Sequence, residues 1–543
     1  MWYETGTLAP VADTRDVEAV VYSSYFAQRY AVGSVDATNR TVRFLNPVSP
    51  PPNRPIYAGK HGKQSRVYLE NALEFLDTPG EWFANSNHVF YYPHPDEEAE
   101  LKEGGAVLSV ASELLQIQGA AHVRFEGIDF LYTDHYSDVF PLPSGTTDQA
   151  GFGLNSSALH VRDSHDIRIT NCSVAFSSGY AIWVHGASTD VVVQSCHIYD
   201  VGAGGVRFGE GGAGGPAAPA EAWRLVVNNS LIEDGGHVTH AGAGIFVQTN
   251  CYACTITHNI VRGFEWSGIS VGQVSSFSNS SNPSTYNPAI CEQGDVPWPT
   301  SYRSLVAYNE VSNIAMGPSR LSDNGGIYSP AINTDIVHNY VHGVGCYTFG
   351  GLGIYAEGGG CNLTYAFNAV IDTAGSCYAG HFLNVNVKIE NNVFVGRGIS
   401  SSGGWDNVSL VRNIVDIRQA PLFIGPFEPT TTTRHNIGRV NFSWNQVDSN
   451  VYWSHCGNET GCLTRFPQPF HGNDPPKKIS MATWKEWRTS GHDAHSILKD
   501  PGFVDRDGKS GRVDLRLRDD SPARALGVMS VDVREAGLLT PIG

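Results

Sequence analysis

The chain has 543 residues, 41% of them hydrophobic and 11% aromatic, and carries a formal net charge of −17. That length suits two or three ordinary domains or one elongated repeat architecture. The negative charge argues against nucleic acid or an anionic membrane surface as the main partner, and no run approaches the roughly 18 apolar residues of a membrane span.

The first residues, "MWYETGTLAP", lack the basic start and apolar core of a signal peptide. Residues 1–107 hold short strand-like runs and a Pro-rich break, "VSPPPNRP". They are expected to form a β-rich, sandwich-like module beside whatever follows. Nine Asn-X-Ser/Thr sequons (Asn39, Asn155, Asn171, Asn228, Asn279, Asn362, Asn407, Asn441 and Asn458) and ten cysteines fit a secreted, disulfide-bonded glycoprotein whose leader is absent from this sequence.

From residue 108 to about 444 the chain repeats itself. "ITNCSV", "VQSCHI", "VNNSLI", "THNIV", "AYNEV", "VHNYV", "AFNAV", "ENNVF" and "VRNIV" align on Asn171, Ser195, Asn229, Asn259, Asn309, Asn339, Asn368, Asn392 and Asn413. A period of roughly 20 to 30 residues with longer insertions marks a solenoid. The β-branched runs broken by Gly and Asp make its unit a set of strands. The expected fold is therefore all-β, a right-handed parallel β-helix, with equivalent residues stacked at roughly 4.8 Å. An internal Asn column can satisfy buried turn backbone. Cys172 and Cys196 occupy equivalent positions in consecutive coils and are expected to pair. Cys456 and Cys462 are expected to close a small loop, and "CYAC" reads as structural. Residues 445–543 are expected to supply terminal coils and a cap over the open end.

A second column follows each Asn: "GGVRFGE", "GAGIFVQ", "SGISVGQ", "NGGIYSP" and "GLGIYAE". With Val206, Ile245, Ile269, Ile327 and Ile354 in register and pointing inward, Arg207, Phe246, Ser270, Tyr328 and Tyr355 point outward. Gly209, Gln248, Gly272, Pro330 and Glu357 do the same two places on. Aromatic, amide, hydroxyl and carboxylate groups between glycines suit a carbohydrate. In "SRLSDNGGIYSP", Gly325 and Gly326 are expected to leave room for a sugar ring beside Asp323.

These paired motifs, "DNGGIY" and "GLGIYAEGG", resemble those of glycoside hydrolase family 141, a β-helix family containing α-L-fucosidases and xylanases. "NALEFLDTPGEWFANSNHVFYYPHPDE", "FEGIDFLYTDHY" and "WKEWRTSGHDAHSILKDPGFVDRDG" are similar to its pre-helix segment, early coil and closing cap. The resemblance covers most of the chain and implies that Asp323 and Glu357 are the catalytic carboxylates. Glu357 stands where the family's motif has Asp, and Gly358 where it has a further acid. The family usually begins with coils ahead of the β-rich module, whereas this chain opens inside it. His381 in "YAGHFLN" resembles a family His and is a substrate-binding candidate.

Two carboxylates are what glycoside hydrolysis asks for, one protonating the leaving oxygen and one acting as base or nucleophile. An extended strand would nevertheless hold Asp323 and Glu357 roughly 23 Å apart, so the chain must bend. Glu265 shares the column of Asp323 and is an alternative acid. Trp266 is a candidate for stacking on a sugar, and Asp134 and His135 are candidates for the same face. No HExxH, GxSxG or Walker pattern occurs, so no metal or cofactor is expected. The oligomeric state is open. The leading expectation is a glycan hydrolase, set against a non-catalytic glycan-binding or extracellular-coat protein and a polysaccharide lyase.

Overall fold

The structure, a computed structural model, describes residues 11–45, 66–85, 87–134, 149–151, 154, 156–209, 222–248, 251–272, 303–357, 360–381, 384–402, 405–418, 444–454, 484–489 and 491–542. Each coil contributes three short strands, for example Gly325–Tyr328, Asp335–Val337 and Tyr340–Val344. Equivalent strands of successive coils pair in parallel and build long sheets of 10, 14 and 12 strands. Inward Val, Ile and Leu from all three sheets fill one continuous core. Alternation along short strands, with β-branched residues on the buried face, favours this arrangement.

The corner between the 14- and 12-stranded sheets is a tight turn whose first residue takes a left-handed conformation, as at Tyr308, His338 and Phe367. The next residue turns inward. There Asn259, Asn309, Asn339, Asn368, Asn392, Asn413 and Asn450 form a ladder, the Nδ2 of each of the first six donating to the Oδ1 of the Asn one coil on, at 2.9–3.2 Å. Asn339 Nδ2 also donates to the Val306 and Val337 carbonyls, while its Oδ1 accepts from Asn309 N. Replacing Asn339 with Ala strands several buried groups at once. Each costs about 1–3 kcal/mol, so a loss of roughly 3 kcal/mol or more should appear in urea unfolding.

The ladder corrects the sequence register in the first coils. Asn171, Ser195 and Asn229 are not rungs; they are the left-handed residues of the turn, with φ of 52°, 53° and 47°. The rung positions there belong to Cys172, Cys196 and Ser230, and Ser230 N donates to Asn259 Oδ1. Cys172 and Cys196 therefore do stack, but as free thiols. Cys172 Sγ donates to the Thr170 carbonyl, and Cys196 Sγ to those of Gln194 and Ile169. Parallel Cβ atoms at the coil spacing of about 4.8 Å lie beyond the roughly 3.5–4.5 Å that a disulfide spans. Burial pushes the Cys196 thiol up to about 12. Cys456 and Cys462 lie outside the described residues. At another corner a second ladder, Asn333–Asn362–Asn386–Asn407, joins side-chain amides at 2.7–2.9 Å.

Among the described residues the N-terminal module holds a four-stranded antiparallel sheet and a two-stranded hairpin. Its sheet lies against the 10-stranded face of the β-helix, where Val20, Tyr22 and Ala27 pack among Tyr180, Phe246, Trp266, Tyr328 and Tyr355. Tyr22 stacks on His240 at 5.3 Å, and His240 Nδ1 donates to the Gly236 carbonyl. Burial pushes His240 down from 6.5 to about 4. Between those values the unfolded chain binds a proton that the folded chain refuses. Stability should consequently fall as pH drops from about 6.5 to about 4, and His240→Gln should flatten that part of a melting-temperature profile.

At the far end the helix Trp484–Thr489 brings Trp484 against the core and Tyr452. The remaining C-terminal segment is not a plug. It lies along the outer side of the 12-stranded sheet, where Val528, Val531 and Val533 pack on Tyr340, Ile371, Val393 and Ile414. It then returns toward the early coils. Met529 N donates to Asn391 Oδ1, Gly537 N to the Tyr308 carbonyl, and Leu539 N to Asn229 Oδ1. No helix among the described residues is long and apolar enough to cross a membrane.

Candidate active site

The register read from the sequence holds: Val206, Ile245, Ile269, Ile327 and Ile354 pair in succession, as do Arg207, Phe246, Ser270, Tyr328 and Tyr355. The expected exposed groove does not. Arg207, Phe246, Ser270, Tyr328 and Tyr355 are at most 3% exposed, because the N-terminal sheet and the loops beside it cover them. The glycines are also explained differently. A Cβ on Gly326 would sit 2.4 Å from Val341 Cγ1, and one on Gly325 would sit 3.0 Å from Tyr355 Cβ. Gly326 is small to let the sheets of its own coil close on each other, and Gly325 to let the next coil pack against it, not to admit a sugar.

Asp323 ends the loop before strand Gly325–Tyr328 in a left-handed conformation, φ 56°. This bend removes the extended-strand objection by folding the residue back over the sheet. Its backbone is held at both ends: Asp323 N donates to the Phe349 carbonyl at 2.8 Å, and Trp266 Nε1 donates to the Asp323 carbonyl at 3.1 Å. Its Oδ1 accepts the Tyr355 hydroxyl at 3.1 Å. That hydroxyl lies 3.1 Å from His381 Nδ1, which is 3.1 Å from Glu357 Oε1. The Tyr328 hydroxyl donates to Glu357 Oε2. Asp323, Tyr355, His381 and Glu357 thus form one chain. Its three links of 3.1 Å hold the linked carboxyl oxygens no further apart than the roughly 9.5 Å upper limit of glycosidases.

The two acids sit in different surroundings. Asp323 is half-buried, whereas Glu357 is 4% exposed and burial pushes it up to about 8. At neutral pH Glu357 therefore holds its proton, while Tyr355 donates to the Asp323 carboxylate and turns its oxygen toward His381 Nδ1. A protonated acid beside a second carboxyl in a wetter place is the usual division of labour in acid–base pairs.

The other sequence candidates fall elsewhere. Tyr328 and Tyr355 meet edge to face at 5.1 Å, so their hydroxyls, not their rings, serve the site. Trp266, 1% exposed, packs on Tyr328 at 5.1 Å and cannot stack on a sugar. Gln248 accepts Arg207 Nε at 3.0 Å and lies three coil steps from Glu357, roughly 14 Å at the strand spacing. Glu265, expected in the column of Asp323, accepts Leu321 N at its carbonyl; its carboxyl lies against the Gly317 turn under the fields of Arg320 and Arg66, and burial raises its pKa. Asp134 is exposed in the first coil, and His135 lies outside the described residues. Sequence reasoning missed the hydroxyl bridge of Tyr355; its alternation marked the residue correctly, but only the covered face aims the hydroxyl at Asp323.

Residues 151–295 match a family described as the right handed beta helix region. Among solved structures, one described as a glycoside hydrolase is similar, with a TM-score of 0.54 and 18% identity, over 74% of this chain and 69% of its own. A GH136 lacto-N-biosidase from Eubacterium ramulus aligns with a TM-score of 0.33 and 11% identity, over 57% of this chain and 59% of its own. PfbA, a surface adhesin of Streptococcus pneumoniae, aligns with a TM-score of 0.34 and 10% identity, over 58% and 73%. No curated protein matches the sequence. The chain is a right-handed parallel β-helix protein.

Proposed function

We propose that the protein is a secreted glycoside hydrolase that cleaves a fucose- or xylose-containing glycan. Asp323 and Glu357 are its carboxylate pair. The observation that carries this reading is the hydrogen-bonded chain between the two acids, with the buried one still protonated at neutral pH. Glu357 then gives its proton to the departing glycosidic oxygen, and Asp323 acts as base or nucleophile. Tyr355 touches Asp323, His381 touches Glu357, and the two meet each other, so both belong to the same machinery. The test is a product assay on fucosylated and xylose-containing glycans. New reducing ends support the hydrolase, and an unsaturated chromophore instead would mean a lyase.

The second reading is a glycan-binding or extracellular-coat protein. The near-complete burial of Glu357 under its neighbours favours it. Glycan retention without any product, across the same panel, would decide for it.

A further inference from the structure

We propose that Arg66, a residue of the N-terminal module, is a positioning residue for Asp323, so that the site is assembled only with the module docked. This rests on the reading of Asp323 as a catalytic carboxylate. Two loops set the Asp323 backbone: its own approach, residues 315–322, and residues 345–351 of the next coil, through Phe349. Neither loop is regular structure, and both are held by the module. Arg66 Nη1 donates to the Pro318 carbonyl at 2.9 Å, and Nη2 donates to that of Arg320. The same guanidinium lies between two rings, 4.1 Å from the Tyr22 centroid and 3.9 Å from that of Tyr347.

Tyr22 belongs to the module's own sheet, while Tyr347 N donates to the Leu321 carbonyl. Ser322 N, one residue before Asp323, donates to the Ser24 carbonyl at 2.7 Å, again from the module. Ser322 Oγ and Thr348 Oγ1, 2.8 Å apart, tie the two loops together. Glu265, whose Oε2 is buried without a hydrogen-bond partner, lies within electrostatic reach of this cation. One planar group thus joins a module strand, the loop that carries Asp323 and the loop that holds it. Only a guanidinium can donate to two carbonyls while stacked between two rings; a lysine ammonium is a point charge that does neither together.

The test uses the full chain with Arg66→Lys, which keeps the charge, and Arg66→Ala. Arg43→Ala, an exposed change in the same module, is the control. Misplacement of a reacting group by about 1 Å costs up to about 100-fold in rate. Both Arg66 variants should therefore lose about 10- to 100-fold in kcat, with KM changed less than about twofold. A second readout needs no substrate. Trp266 donates to the Asp323 carbonyl, so its emission, taken as the difference from Trp266→Phe, should shift in both Arg66 variants and not in the control. If Arg66→Lys keeps kcat or leaves the Trp266 emission unchanged, the inference is overturned, even where its melting temperature falls. If no glycan is turned over by the parent chain, the hydrolase reading fails, and the Trp266 emission still decides whether Arg66 places Asp323.

Discussion

Asp323→Asn should cut the rate on the glycan substrate by about two orders of magnitude or more, the scale of general acid–base catalysis, without lowering the melting temperature. The structural side of this expectation is unusually clean. Asp323 adopts φ 56°, and Asn is among the few residues that tolerate that conformation. The contacts of its backbone with Phe349 and Trp266 do not involve the side chain. The Tyr355 hydroxyl can donate to an amide oxygen as it does to the carboxylate. What disappears is the charge and the ability to take a proton or attack a sugar. Steady-state rates and calorimetry on the same preparation separate the outcomes. An unchanged rate returns Asp323 to the role of a loop residue, and a large fall in melting temperature makes it a structural one.

Glu357→Gln should abolish turnover to a similar degree and yet make the fold more stable at neutral pH. Glu357 is raised from 4.5 to about 8 by burial. Below 4.5 both folded and unfolded chains hold the proton. Between 4.5 and 8 the unfolded chain gives it up while the folded chain keeps it, so stability falls as pH rises through that window. Glutamine can still accept from Tyr328 and is not asked to ionise, so it escapes this penalty. The melting temperatures of parent and variant should coincide near pH 4.5 and diverge by a few degrees, about 1 °C per kcal/mol for a chain of this size, by pH 8. Activity of the parent should decline as pH rises through about 8, where the proton is lost. A variant less stable than the parent at pH 7.5 would contradict the assignment of a buried neutral acid.

The repeat and the pairing of the second column were legible because both depend on local alternation, which a strand preserves whatever lies above it. The Ile245–Ile269–Ile327–Ile354 line follows from that alternation across the insertion at residues 277–302. The first Asn column was misread by one place because Asn suits two adjacent positions for different reasons: the left-handed turn and the rung beside it. At Asn171 and Asn229 it takes the turn; at Asn309 it takes the rung. Exposure was not legible. Whether Tyr328 faces water depends on residues some 300 places earlier, Val20, Tyr22 and Ala27, and no periodicity encodes that docking. Likewise the link between Asp323 and Glu357 depends on a bend, the Tyr355 hydroxyl and the His381 imidazole, none of which a motif spacing reports.

The C-terminal segment changes the order in which such a chain can complete its folding. A solenoid held only by contacts between adjacent coils can assemble progressively and come apart from either end. Here residues 529–539 run back from Asn391 past Tyr308 to Asn229, so coils made early receive partners from a part synthesised much later. The contacts this closes span up to 311 positions, and such separations slow folding. Once closed, they bind the coils lengthwise, so that losing one coil means releasing the strap from its neighbours. The molecule should then unravel as a block, with slow amide exchange shared across the coils from Asn229 to Asn391 rather than graded toward the ends.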